Sequence, residues 1–428
     1  MSPTPVHDSL LLFGATGDLS QRYLLPSLVH LLRDRLLPPS FRLVAVGRQE
    51  FDAPAFAAWM REQMRGEYER WRDAFEDLIA RTTYVAVDLA DPDAMAERLR
   101  GFADRPAVSY LAIPPVLFEP TCRGLQAAGL LAEPSRLVLE KPIGHDLASS
   151  RAINATLRGF LDETRIFRID HYLGKAPVQN HMLQLLALIA MEPPGALDAE
   201  SLRDEKRKVL KALRPMTAED VVSNSVRGRY QAGVVDGRAV AGFDHPSDAE
   251  TFVGLRAHID NWRWSGVPFR LVTGKRLAQR TTQVLVSFKP VSHWLFDKPP
   301  HSGAMPNRLL MQLQPEFDIL LGLMGSLAAP EWSGTELQPL AMDLSMPTPQ
   351  RRIAYERLLL DALHGNQALF VTGEEVEAAW AWIDSISAAW TAAATPALAY
   401  PAGSWGPAEA ADFLPIGVVG GKRGRRTS

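Results

Sequence analysis

Short apolar runs alternate with stretches of helical periodicity over the first 170 residues. "SLLLF" (Ser9–Phe13) is a continuous apolar run of strand length, and "PSLVHLLRDRLL" (26–37) then repeats apolar residues at helical spacing. "FRLVAVG" (41–47) predicts the next strand and "FAAWMREQM" (56–64) a helix. "TTYVAVDL", "AVSYLAI" and "SRLVLE" predict further strands. Strand–helix alternation of this kind predicts a parallel sheet covered by helices on both faces, because parallel neighbours need a crossover and a helix supplies it.

The pattern then changes. "TFVGLRAHIDNWRW", "VPFRLVTG", "TQVLVSFKP" and "NRLLMQLQP" are alternating or β-rich segments separated by turn residues, as in an antiparallel sheet. Helical periodicity returns at "AYERLLLDALHG" and "EEVEAAWAWIDSISAAW". "GLMGSLAAPEWSGTELQ" (322–338), rich in Gly and Pro, predicts an irregular loop. There is no internal repeat.

At 428 residues the chain is too long for one ordinary core, so two domains are expected. Its 46% hydrophobic and 22% charged residues are those of a globular protein. A formal net charge of −3 argues against nucleic acid or an anionic membrane as the main partner. The longest apolar run, "LLALIAM", falls far short of the ~20 residues needed to span a bilayer, and "MSPTPVHDS" lacks a signal-peptide pattern. The single cysteine, Cys122, permits no intrachain disulfide and fits a reducing, cytoplasmic setting. It lies in a helical pattern without an electropositive neighbourhood, which favours packing over catalysis. The tail "GGKRGRRTS", Gly-rich and basic, is expected to be flexible.

The first chemistry lies at the end of the first strand. In "LLLFGATGDLSQRYLLPSL", Gly14 and Gly17 let the backbone turn tightly and approach a pyrophosphate, while the following helix offers N-terminal amides to that anion. The spacing is Gly-x-x-Gly rather than the usual three-glycine fingerprint, and such a turn without a ligand is the plain alternative. Its place at the first strand of an α/β chain favours a dinucleotide. The second strand ends "VAVGRQE": Arg48 arrives where an NAD enzyme carries an acidic residue, and Glu50 follows two residues later. A cation there suits the 2′-phosphate of NADP, against a solvated loop arginine as the alternative.

"GATGDLSQRYLLPSL", "YLAIPPVLF", "VLEKPIGHDLASS", "RIDHYLGK", "QNHMLQLLALIAMEPP", "IDNWRWSGVPFRLVTGKRL" and "YPAGSWGPAEA" together resemble the glucose-6-phosphate dehydrogenase family. The resemblance runs from about Leu10 to Ala410. It implies an α/β Rossmann-type dinucleotide-binding domain over residues 1–172. An α+β substrate and oligomerisation domain with a large antiparallel sheet would follow over 173–415, then a basic tail over 416–428. It implies oxidation of glucose 6-phosphate to the lactone with NADP, the entry to the pentose phosphate pathway, by a homodimer or homotetramer. No metal is implied.

By motif, the resemblance makes Gly14, Ala15, Thr16, Gly17, Asp18 and Leu19 the diphosphate turn, with Arg48 at the 2′-phosphate. Lys141 of "EKPIG" would lie between cofactor and sugar, before a cis Pro142. His171, Tyr172 and Lys175 of "RIDHYLGK", with Asp170 beside them, resemble the grip on the substrate. An imidazole, a phenol and an ammonium converging on a phosphate dianion make chemical sense of it. Lys275 and Arg280 resemble further sugar contacts, Arg280 standing where many relatives carry lysine. Tyr23 replaces another lysine of the family pattern. His181 of "QNH" resembles the catalytic base, a task that suits an imidazole of unperturbed pKa ~6.5.

The stretch "RIDHYLGKAPVQNHMLQLL" (Arg168–Leu186) departs from the family. The phosphate-gripping block and the base block each carry "VQN" in relatives and are separated by a long segment. Here one copy, Val178–Asn180, serves both. The residues before His181, "APVQN", hold no carboxylate to orient the ring. The reading is an internal deletion that removes this carboxylate, a sugar-binding acidic loop and one strand of the large sheet. Lys175 and His181 can still share a pocket, since the six residue steps from one to the other span at most ~20 Å. A catalytically impaired NADP-binding partner or regulator of an intact dehydrogenase is the alternative function.

Overall fold

A computed structural model of the chain describes residues 6–169, 180–243, 250–290, 306–326, 337–344 and 354–414. Contacts divide the chain into two compact units. The first comprises Met1–Asn224, Ala257–Phe269 and Arg352–Thr395, and the second Ser225–Arg256, Arg270–Arg351 and Pro396–Ser428.

The first unit is built on six parallel strands: β1 (Ser9–Phe13), β2 (Arg42–Gly47), β3 (Thr82–Ala86), β4 (Val108–Leu111), β5 (Arg136–Leu139) and β6 (Ile166–Arg168). Their order is β3-β2-β1-β4-β5-β6, so the chain reverses its direction of travel between β1 and β4. All five residues of β1 are buried because the strand is covered twice. Leu10 and Leu12 pack into one layer with Leu28, Phe75 and Leu359, whereas Leu11 and Phe13 enter the other with Met95 and Leu125. Cys122 belongs to that second layer, and burial pushes its thiol up to about 12, so it is a packing residue as expected.

Three features were not legible as periodicity. β6 is only three residues long. The helix Ala199–Lys211 packs on the long helix Gly373–Ala392, joined by a buried Lys206–Glu375 pair at 2.8 Å, so the unit draws in distant chain. Gly373–Ala392 also packs on the helix Leu147–Arg158. Compactness thus groups the chain differently from a division into cofactor and substrate domains, which is one of function. Among the described residues no helix is long and apolar enough to cross a membrane.

The second unit carries β7 (Ser225–Gln231), β8 (Gly233–Val235), β9 (Arg238–Val240), β10 (Phe252–Ala257), β11 (Phe269–Gly274), β12 (Thr282–Ser287), β13 (Arg308–Gln314), β14 (Asp318–Ser326), β15 (Leu337–Asp343) and β16 (Leu398–Pro401). Among the described residues these form two four-stranded sheets, β11-β10-β7-β16 and β12-β13-β14-β15, with β8 and β9 as a separate hairpin. The first sheet is mixed, since β10 runs antiparallel and β16 parallel to β7. The β8–β9 turn is Asp236-Gly237, both at positive φ, the two-residue hairpin signal that "VVDGRAV" carries in plain view. The loop expected over 322–338 is corrected at both ends: 322–326 complete β14 and 337–338 begin β15. Pairing at five positions with β13 and at seven with β15 outweighs the local Gly content there.

The second sheet is antiparallel, and one face is apolar from edge to edge. Val286, Leu309, Leu321 and Met342 stand directly opposite one another across its four strands. Leu323 and Leu340 pair on the same face, and Leu340 and Met342 remain 44% and 49% exposed.

Candidate active site

The sheet order decides where a dinucleotide could lie. Because β1, β2 and β5 are parallel, the residues that follow them leave along one carboxyl edge, beside the β1–β4 reversal where open α/β sheets bind ligands. Gly14 has φ +78°, and a Cβ there would sit 2.3 Å from the Ala112 carbonyl oxygen, so only glycine fits. The amides of Gly14 and Ala15 both donate to the Val46 carbonyl at 3.0 Å. The Gly17 amide donates to the Gly14 carbonyl at 2.9 Å, and Ser20 Oγ donates to that oxygen at 2.8 Å. Gln21 Nε2 ties the Thr16 carbonyl at 2.7 Å. Asp18 and Leu19 already belong to the helix, and Asp18 pairs with Arg22 in solvent at 2.7 Å. The turn is therefore preorganised by its own hydrogen bonds, and it offers the tight approach that a pyrophosphate requires.

Arg48 is exposed, one residue beyond β2. Its loop is underpinned by Tyr84, whose hydroxyl donates to the Gln49 carbonyl at 2.8 Å and whose ring stacks on Phe56 and meets Phe51 edge-on. Burial pushes the Tyr84 phenol up to about 12, so it stays a neutral donor. Gly47 leaves room for that hydroxyl, which lies 2.7 Å from where a Cβ would stand. The arginine is thus an unburied cation on a braced loop, one strand away from the glycine turn.

Lys141 follows β5, half-buried, and its bond to Pro142 is cis as expected. β6 ends on Arg168, whose side chain is fully buried. Its guanidinium bonds Glu163 Oε1 at 2.5 Å and Asn154 Oδ1 at 3.0 Å. Burial draws this group below the usual arginine range, with Glu163 opposing the shift. The cluster anchors the strand from which "RIDHYLGK" continues. Asp170, His171, Tyr172 and Lys175 lie outside the described residues, as does the side chain of His181, whose backbone is in the first turn of the helix Asn180–Ala190.

In the second unit Lys275 follows β11, half-buried. Its amide donates to the Thr251 carbonyl at 2.8 Å, and the buried Tyr400 hydroxyl donates to its carbonyl at 2.7 Å. Burial pushes the Tyr400 phenol up to about 12. Arg276, at φ 54°, then turns the chain, and Arg280 is exposed. Sequence reasoning missed the supports: Tyr84, Tyr400, Glu163 and Asn154 are ordinary side chains whose roles come from distant partners.

Two family models match the chain: "Glucose-6-phosphate dehydrogenase, NAD binding domain" over residues 11–180 and "Glucose-6-phosphate dehydrogenase, C-terminal domain" over residues 175–416. The glucose-6-phosphate 1-dehydrogenase of Zymomonas mobilis is 39% identical over 469 aligned positions, covering 94% of this chain and 96% of that protein. That of Mycolicibacterium smegmatis is 38% identical over 485, covering 96% and 97%. A crystal structure of glucose-6-phosphate 1-dehydrogenase from Mycobacterium avium matches with a TM-score of 0.81 at 29% identity, covering 96% of this chain and 97% of that one. A glucose-6-phosphate dehydrogenase in complex with its substrate glucose-6-phosphate matches with 0.81 at 25% identity, covering 97% and 98%. The two family models overlap at residues 175–180, which both claim. Both curated alignments are longer than the 428-residue chain, so they contain positions that this chain lacks.

Proposed function

The chain belongs to the glucose-6-phosphate dehydrogenase family, and from that premise we propose how its residues divide the oxidation of glucose 6-phosphate. The activity is that of its curated relatives, with NADP as the oxidant. The observation that carries the reading on this chain is the glycine turn at the β1–β4 reversal with Arg48 one strand away. A steady-state assay of NADPH formation with glucose 6-phosphate and with free glucose tests it; equal rates with the two sugars would sink it.

The residues present fit the cofactor, since the Gly14 cradle admits no Cβ and an exposed cation stands at the end of β2. When bound, NADP accepts the hydride from C1 of the sugar. Gly14 to Leu19 cradle the diphosphate and Arg48 meets the 2′-phosphate. Lys141 presents its ammonium between cofactor and sugar. His171, Tyr172 and Lys175, with Asp170, grip the phosphorylated substrate, and Lys275 and Arg280 are assigned further sugar contacts. His181 takes the proton of the C1 hydroxyl at a ring nitrogen as the C1–H pair departs, leaving the lactone carbonyl.

Arg48→Ala is expected to lower the preference for NADP over NAD by about 10- to 100-fold, the worth of a charge-assisted hydrogen bond. Dissociation constants for both dinucleotides check this; an unmutated protein that binds the two equally well overturns the assignment. Lys175→Ala is expected to raise KM for glucose 6-phosphate by about tenfold or more while kcat changes little, the signature of lost ground-state binding. Unchanged kinetics would remove the loop from the substrate site.

The missing segment is supported by three observations: the family models share residues 175–180, the alignments outrun the chain, and among the described residues the longer strands of the second unit form two separate four-stranded sheets. β11 and β12 are consecutive, with only 275–281 between them, yet they edge different sheets, as removal of a linking strand would leave them. We also assign a homo-oligomer in the cytoplasm. The apolar face of the second sheet and the disulfide-free composition support this, and light scattering after size exclusion tests the assembly.

A further inference from the structure

One hydroxyl group meets the chain on both sides of Arg48. The Tyr84 hydroxyl oxygen lies against Gly47, 2.7 Å from where a Cβ would stand, and donates to the Gln49 carbonyl at 2.8 Å. Gly47 itself pairs with Ala86 of β3, and its carbonyl accepts from the Val87 amide at 2.9 Å. Residues 48–51 then join β2 to Asp52, whose side chain accepts from the Ala55 amide and caps the helix Ala53–Gln63. Phe51, at the far end of this loop, sets its ring against Phe56, Trp59 and Tyr84. The loop is therefore fixed before Arg48, after it and again at Phe51, while the Arg48 side chain stays exposed and takes part in none of these contacts.

Packing accounts for the Tyr84 ring but not for its hydroxyl. The ring stacks on Phe56 with centroids 4.3 Å apart, and a phenylalanine would fill that space equally well. Phenylalanine would also free position 47, because the next atoms a Cβ would meet there, Thr16 Oγ1 and Tyr84 Cε2, lie at an ordinary contact distance of 3.5 Å. The backbone of Gly47 does not call for glycine, since its φ lies outside the left-handed region, and glycine in a strand gives up more freedom on folding than any other residue. The glycine makes room for the hydroxyl, and the hydroxyl holds the loop. A loop ordered before its ligand arrives loses less entropy on binding. NAD carries no 2′-phosphate, so order imposed around Arg48 favours NADP alone.

We propose that Tyr84 is a positioning residue for cofactor choice: its hydroxyl, seated in the space that Gly47 leaves, holds the loop carrying Arg48 in the form that meets a 2′-phosphate. The proposal rests on the reading of Arg48 as the 2′-phosphate contact, and its test separates the two.

The readout is the ratio of Kd for NADH to Kd for NADPH, each by nucleotide fluorescence in the full chain, with Tm recorded for every variant. Tyr84→Phe is expected to lower this ratio about threefold, as loss of one neutral hydrogen bond does, by weakening NADPH and leaving NADH unchanged. Arg48→Ala by itself lowers the ratio about 10- to 100-fold, and adding Tyr84→Phe to it is expected to change nothing further. Gly47→Ala displaces the hydroxyl by a second route. It is expected to lower the ratio about threefold and Tm by a few degrees in the unmutated chain, and to do neither in the Tyr84→Phe background. Should Gly47→Ala not fold, the Tyr84→Phe measurements carry the test alone. An unchanged ratio in Tyr84→Phe, equal weakening of both nucleotides, losses that multiply with Arg48→Ala, or a Gly47→Ala loss that persists in the Tyr84→Phe background each overturn the positioning role while leaving Arg48 in place. An unchanged ratio in Arg48→Ala overturns the reading of Arg48 and the inference with it.

Discussion

Insertion of a relative's segment between Asn180 and His181, with the "VQN" boundary duplicated, is expected to raise kcat/KM for glucose 6-phosphate by about 10²-fold or more. The residues leading into His181 are "APVQN", without a carboxylate to orient an imidazole, and both family models end or begin within this same short stretch. General-base catalysis is worth ~10²–10⁴-fold, and a group misplaced by about 1 Å forfeits ~10²-fold, so an unguided ring loses most of its advantage. Two measurements decide the matter. His181→Ala should cost the restored protein far more than it costs the present chain. If the present chain already matches the restored one, its own residues hold the base correctly and the deletion is catalytically silent.

Gly14→Ala is expected to abolish measurable NADP binding and to lower Tm by roughly 5–15 °C. The alanine Cβ would stand 2.3 Å from the Ala112 carbonyl oxygen, a backbone atom that cannot swing aside, and the residue would be held at φ +78°. Left-handed backbone costs an L-residue about 1–2 kcal/mol, and forcing a methyl into filled space about 1–3 kcal/mol more. Relief can come only by opening the β1 turn away from β4, which dismantles the cradle. Gly17→Ala is the internal control: its nearest obstacle, the Gly14 carbonyl oxygen, lies at 3.1 Å, and its φ lies outside the left-handed region. Its Tm should move by a few degrees at most. A Gly14→Ala protein that retains both its Tm and its NADP affinity would show that the turn is not the diphosphate site.

The centre of the N-terminal sheet was legible because β1 and β2 are almost wholly apolar runs, the mark of a strand buried on both faces, whereas β3 at the edge is only partly buried. "SLLLF" and "FRLVAVG" are β1 and β2 with little adjustment. β6 was not, since three residues carry no periodicity. The second unit was read as β-rich but its grouping was not: "GLMGSL" looks like a loop until β13 and β15 flank it. The glycine turn and Arg48 could be named from the sequence because both follow directly from where a strand stops. Their supports could not, as with Tyr84 under the Arg48 loop or Asn154 and Glu163 around Arg168.

By itself, then, the sequence determined the local facts: which runs are buried strands, that Gly14 begins a turn, that a cation rather than a carboxylate closes β2, and that one "VQN" stands where two are expected. Those are properties of a short window, set by side-chain period, by φ and by charge. Only the tertiary structure decided that β1 lies between β2 and β4, that the Tyr110 hydroxyl meets the Glu140 carboxylate, and that β11 and β12 part into separate sheets. Such contacts join residues far apart in the chain and are selected by which surfaces can be buried together with their polar groups satisfied, a condition that no local window contains.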